Sequence, residues 1–354
     1  MATDDQPTEL RRKVLAFYRF VPVEDPQALQ QTLLELGERL SIKGTILVAR
    51  EGVNGTIVAQ PDSLDVMARV LTQQLGSIPF KWSDLDENNQ GFYRFKVKLK
   101  NEIVTLGVED LDISLTGEHV SPERWHELMD DPDVVVIDTR NTYEIDIGSF
   151  PEAVNPRTTN FREFPQWVAE NLSPERNKQI AMFCTGGIRC EKASAYMQQA
   201  GFEHVYQLDG GVLRYLEQTE DQENRWQGEC FVFDQRVSVT AELGQGHYQQ
   251  CYACRHPVSV EDMSSGYYEQ GVSCPHCYAS DELSDAQRRP GGPINGDGLN
   301  PDHALSNATG TAQRRARLRE RQRQVELAQR RGEAHIGQRQ GSARGKDATV
   351  SRKS

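Results

Sequence analysis

Residues 180–197 read IAMFCTGGIRCEKASAYM. An apolar run stops at Cys184, two glycines and an arginine follow within five residues, and a helical pattern begins after them. Short apolar runs of this kind are typical of buried parallel strands. In a parallel α/β sheet the reactive position lies where the carboxyl end of a strand turns into a helix, and Cys184 stands at such a junction. Gly186 and Gly187 let successive backbone N–H groups turn toward one point. The helix beginning near Arg189 adds the positive end of its dipole, and Arg189 adds a full charge. All three effects favour thiolate, so the sequence predicts Cys184 below the ordinary thiol pKa of about 8.5. Cys184 and Arg189 are thus the candidate catalytic pair. Thr185, Gly186, Gly187 and Ile188 form an anion cradle that would equally hold a persulfide on Cys184. The competing reading is a buried packing cysteine.

Working outward, VVVID (134–138) and HVYQLDGG (204–211) are further short apolar strands, and SPERWHELM (121–129) is helical. The repeated order of strand, loop and helix predicts an α/β domain with a mostly parallel sheet over residues 119–222. Residues 1–112 read differently. KVLAFYRF is a strand, and the helix after it has Asp25 as cap and Pro26 at its first position. IKGTILVAREGVNGTIVAQ reads as two strands joined by a turn at EGVNG, because Asn-Gly favours hairpins. A second helix follows, capped by Asp62, and strand material closes at RFKVKL. The order β-α-β-β-α-β is ferredoxin-like.

Residues 223–285 hold CYACRHPVSVEDMSSGYYEQGVSCPHC, two Cys-x2-Cys pairs separated by nineteen residues. That spacing makes Cys251, Cys254, Cys274 and Cys277 the candidate ligands of a structural zinc; a redox pair or a relic of a zinc module are the alternatives. From 286 to 354 a Gly/Pro-rich linker and an Arg-rich tail are expected to be disordered. Within residues 311–354, 13 Lys and Arg stand against 4 Asp and Glu, whereas the whole chain carries −12. The acidic body argues against nonspecific nucleic-acid binding there, while the basic tail permits it. No run of about 18 apolar residues suggests a membrane span. With an acidic start and no apolar leader, the chain is expected to be cytoplasmic. In a reducing compartment its seven cysteines point to metal or redox work rather than disulfides.

CTGGIR resembles the active-site loop of rhodanese domains, Cys-x-x-Gly-x-Arg. VVVIDTRNTYEIDIGSFPEAVN and VYQLDGGVLRYLE resemble other rhodanese segments in order and spacing. The resemblance implies that Asp138 and Arg140 are structural, anchoring the end of the sheet. Related phosphatases of this fold carry one more loop residue, so the shorter loop here suits a single sulfur atom. Cys190 departs from the usual Ser or Ala; it is the candidate thiol to resolve an oxidised or persulfidated Cys184, or a small helix-packing residue. Together with GTILVAREGVNGTI, FKVKLKNEIVTLG, GECFVFDQRV and CYACRHPVS, these segments resemble the bacterial oxygen-dependent tRNA uridine hydroxylases over about residues 13–280. That resemblance implies conversion of wobble uridine to 5-hydroxyuridine, with molecular oxygen as co-substrate and the tRNA anticodon region as partner. No iron facial triad and no flavin, haem or nucleotide motif stands out. A sulfurtransferase and a non-catalytic tRNA-binding adaptor are the competing functions.

Overall fold

The computed structural model describes residues 12–85, 91–219, 223–271 and 273–277. The linker, the Arg-rich tail and its expected disorder lie outside the described residues. Two compact units form: the first runs to Gln250 and takes in Arg255–Val260, and the second holds Cys251–Cys254 and the segment from Glu261.

The first unit contains two sheets. The N-terminal sheet is built from β1 (Lys13–Phe20), β2 (Lys43–Ala49), β3 (Gly52–Ala59), β4 (Phe80–Asp84) and β5 (Phe95–Leu99) in the order β4-β1-β3-β2-β5. Helices α1 (Pro26–Arg39) and α2 (Pro61–Leu75) supply Leu29, Leu33 and Leu36, and Leu64, Met67 and Leu71, to its core. Asp25 caps α1 by accepting from the Ala28 N–H at 2.9 Å. This is the ferredoxin-like arrangement with one strand added beside β2, where β5 pairs in parallel.

Three local expectations need correction. The hairpin turn is Arg50–Glu51, and Asn54 and Gly55 lie inside β3. There Asn54 pairs with Leu47 and Tyr18 and donates its amide to the Ile103 carbonyl at 3.0 Å, which satisfies it without a turn. Helix α2 starts after Gln60 with Pro61 at its first position, so Asp62 sits in the first turn rather than at the cap. The strand that completes the ferredoxin-like order is Phe80–Asp84, and Phe95–Leu99 is the extra edge strand. FKWSD is polar at its end and pairs with β1 alone, so its sequence has weak strand character.

The second sheet is wholly parallel, β6 (Glu118–Val120), β10 (His204–Leu208), β9 (Gln179–Phe183) and β7 (Val134–Asp138) in that spatial order. Alternation along β9 feeds two cores. Ala181 and Phe183 meet Trp125 of α3 (Pro122–Asp130) and Tyr215 of α7 (Gly211–Gln218). Ile180 and Met182 meet Phe164 and Val168 of α5 (Phe164–Asn171) and Met197 of α6 (Ile188–Gln199). With α4 (Thr142–Ile145) and β8 (Gly148–Ser149) between β7 and α5, this is a parallel sheet covered on both faces, with Cys184 directly after β9. Among the described residues no helix is long and apolar enough to cross a membrane.

Candidate active site

The chain after β9 closes tightly on itself. Gly187 has φ +99° and caps α6, a conformation that favours glycine. Its N–H donates to the Cys184 Sγ at 3.1 Å. The first turn of α7 braces the loop from below: Val212 N–H donates to the Cys184 carbonyl at 3.0 Å and Leu213 N–H to the Thr185 carbonyl at 3.1 Å. A side chain at Gly211 would put its Cβ 2.3 Å from the Cys184 oxygen, so only glycine fits there. The Gly186 carbonyl turns to the Lys81 ammonium at 2.8 Å, and Ile188 opens α6 half-buried.

Burial by itself would raise the Cys184 thiol. A hydrogen bond from Cys190, the Arg189 charge, and the backbone N–H groups of Cys190 and Arg189 outweigh it and bring Cys184 down to about 5. Cys190 moves the other way, pushed well up by burial and by its bond to the Cys184 sulfur. Thr139 Oγ1 lies 3.6 Å from the Cys190 sulfur.

Arg189 does not stand beside the sulfur as a lone charge. Its guanidinium grips both oxygens of Glu144, at 2.6 and 2.7 Å, and reaches Thr185 Oγ1 at 3.3 Å. Glu144 is fully buried, and its carboxyl is held below the usual range because Arg189 and Arg140 outweigh its desolvation. Sequence reasoning assigns Glu144 no role. Arg140 in turn binds Asp138 through two bonds, at 2.9 and 2.6 Å, and donates to the Glu144 carbonyl at 3.3 Å. The Trp226 ring lies 4.9 Å from the Arg140 guanidinium carbon. A buried ladder thus runs Asp138, Arg140, Glu144, Arg189 to the Cys184 loop. Cys230 lies beyond it, packed in the core and pushed up to about 12 by burial.

Residues 121–218 match the family model described as a rhodanese-like domain. The centre of this chain is a rhodanese-like domain. Residues 12–103 match the model described as a UPF0176 acylphosphatase-like domain. Among solved structures the chain is similar to a protein of unknown function, possible tyrosine phosphatase, from Rhodopseudomonas palustris CGA009 (23% identity, 28% of this chain and 80% of that one, TM-score 0.25). It is also similar to the rhodanese-like domain of an Anabaena sp. protein (17%, 32% and 80%, TM-score 0.27). An acylphosphatase from Coxiella burnetii is a third (13%, 25% and 94%, TM-score 0.20).

The rhodanese-like domain does not present its cysteine openly. Cys184 is 0% exposed. Two residues of the N-terminal domain that sequence reasoning missed, Lys81 and Tyr18, wall its loop. The Tyr18 hydroxyl donates to Glu191 at 3.0 Å and occupies the space into which a side chain at Gly187 would point. Lys192 of α6 is held by Glu51 at 2.7 Å and Glu102 at 2.6 Å. The turn that carries Glu51 therefore contacts the helix behind the cysteine.

In the second unit the sulfurs of Cys251, Cys254, Cys274 and Cys277 all lie within 4.8 Å of one another. Cys254 and Cys274 are 3.6 Å apart, and Cys274 and Cys277 are 3.8 Å apart. Tetrahedral zinc with Zn–S about 2.3 Å spaces its sulfurs by about 3.8 Å. Four cysteine sulfurs at that spacing are a donor set that fits zinc, which would tie the two Cys-x2-Cys knuckles together.

Proposed function

We propose that this chain is a tRNA-modifying enzyme that converts the wobble uridine to 5-hydroxyuridine, with molecular oxygen as co-substrate and Cys184 as the reacting group. The observation that carries the reading is the Cys184 sulfur at the end of β9, which accepts the Gly187 N–H at 3.1 Å and lies where the Cys190 thiol and the Arg189 charge draw its pKa below the usual thiol range. It sits in a rhodanese-like domain that follows a UPF0176 acylphosphatase-like domain. Hydroxylation puts one atom of dioxygen on C5, and the other leaves as water with two electrons and two protons from a reductant. A sulfur poised as thiolate is a nucleophile: a peroxide takes it to the sulfenate with release of water, and a sulfane-sulfur donor such as thiosulfate takes it to the persulfide with release of sulfite. Because Cys184 has no exposed surface, reaction requires the wall over its loop to move.

Sulfur transfer is the second reading. It is favoured by the length of the loop, which sets only four residues between Cys184 and Arg189. Nucleoside mass spectrometry of tRNA from cells lacking the gene separates the two. Loss of 5-hydroxyuridine, restored by the wild-type gene and not by Cys184→Ser, supports hydroxylation. Loss of a thiolated nucleoside supports sulfur transfer. An unchanged nucleoside profile would leave a non-catalytic tRNA-binding adaptor.

A further inference from the structure

The edge strand β4 of the N-terminal sheet carries a cation with an unusual set of partners. Lys81 lies on β4, and its Nζ donates to the carbonyls of Gly186, at 2.8 Å, and of Gly210. These are the carbonyl beside the sulfur cradle and the carbonyl at the start of α7. Among the described residues no carboxylate pairs with Lys81. Asp209, just before Gly210, is taken by Arg214. An ammonium has three donors, so one N–H remains after the two carbonyls. A half-buried cation without a counter-ion is unfavourable unless an anion faces it.

We propose that Lys81 of the N-terminal domain is a positioning residue of the Cys184 site, fixing the loop through the Gly186 and Gly210 carbonyls and serving as counter-charge to the anionic sulfur. The proposal rests on the reading of Cys184 as the reacting group. It makes the site a product of two domains: the rhodanese-like domain supplies sulfur, amides and guanidinium, and the acylphosphatase-like domain supplies the second cation. The charged groups that face Lys81 are Cys184, Asp209, Arg214 and Glu217. Loss of water brings its ammonium down to about 8, and the Cys184 charge works against that loss. At neutral pH both members are therefore charged.

The test is a pH titration of the Cys184 thiolate by its ultraviolet absorbance in the full-length protein, taken as the difference from Cys184→Ser. This readout needs no access to the buried sulfur. Lys81→Gln keeps a donor for the carbonyls and removes the charge, while Lys81→Arg keeps the charge. Lys81→Gln is expected to raise the Cys184 midpoint by about one pH unit, and Lys81→Arg to restore most of the shift. Thermal melts show that both variants are folded. Should Lys81→Gln unfold the protein, Lys81→Met measured against Lys81→Arg gives the same comparison. A midpoint equal to wild type in the folded charge-free variant overturns the role of Lys81. A wild-type Cys184 that titrates in the ordinary thiol range overturns instead the reading beneath it.

Discussion

At Cys184 one sulfur accepts the Gly187 N–H, beside the Cys190 thiol and in the field of the Arg189 charge. At Cys251, Cys254, Cys274 and Cys277 four sulfurs face one another within 4.8 Å. In the first case the protein itself supplies the compensating charge, and the sulfur keeps its lone pairs for chemistry once the wall over the loop moves. In the second, the four cysteines form a donor set for zinc, which would take them as thiolates and occupy the lone pairs that make them nucleophilic. The residue type is the same, and its function follows from what the backbone turns toward it.

The strongest way to break this contrast is to exchange the residues that define each site. Cys184→Ser should abolish 5-hydroxyuridine in cellular tRNA and leave metal content untouched, read by nucleoside and elemental mass spectrometry on the same preparations. Cys254→Ser should do the reverse at the metal, lowering zinc from about one per chain to near none, with the Cys184 titration unchanged. If Cys254→Ser alters that titration, the two sites are coupled and the contrast fails. Glu144→Gln probes the ladder below the reactive loop. It leaves Arg189 charged and half-partnered in the core, and breaking a buried pair this way costs about 3–5 kcal/mol. Urea unfolding would show this, whereas the exposed Arg124–Glu127 pair should contribute little when broken. Least in size, removal of residues 286–354 should weaken tRNA binding modestly, more at low salt than at high, as phosphate contacts require. Complete loss of activity on that truncation would give the tail a catalytic part.

What was legible in the sequence was local. The Cys184 loop lies within one strand–turn–helix, and each Cys-x2-Cys knuckle spans four residues, so spacing alone brings those atoms together. The unbroken apolar run of β9 and the leucine spacing of α1 likewise reveal buried faces directly. The groups that escaped are those joined only by tertiary folding. Glu144 is 45 residues from Arg189 in sequence, and Lys81 is 105 from Gly186. Lys81 was doubly hidden, because FKWSD does not announce itself as a strand, and without β4 nothing directs its side chain toward the loop. The walls that Tyr18 and Lys81 set against Gly187 and Gly186 could not be read either, since both residues arrive from another sheet.

Gly211 offers a simple practical criterion. Any β-carbon there collides with the oxygen of the reactive cysteine, so a protein bearing a larger residue at that point must have reshaped its sulfur-binding turn. One letter of sequence, well downstream of the thiol, should then distinguish working copies of this architecture from retired ones before any assay is run.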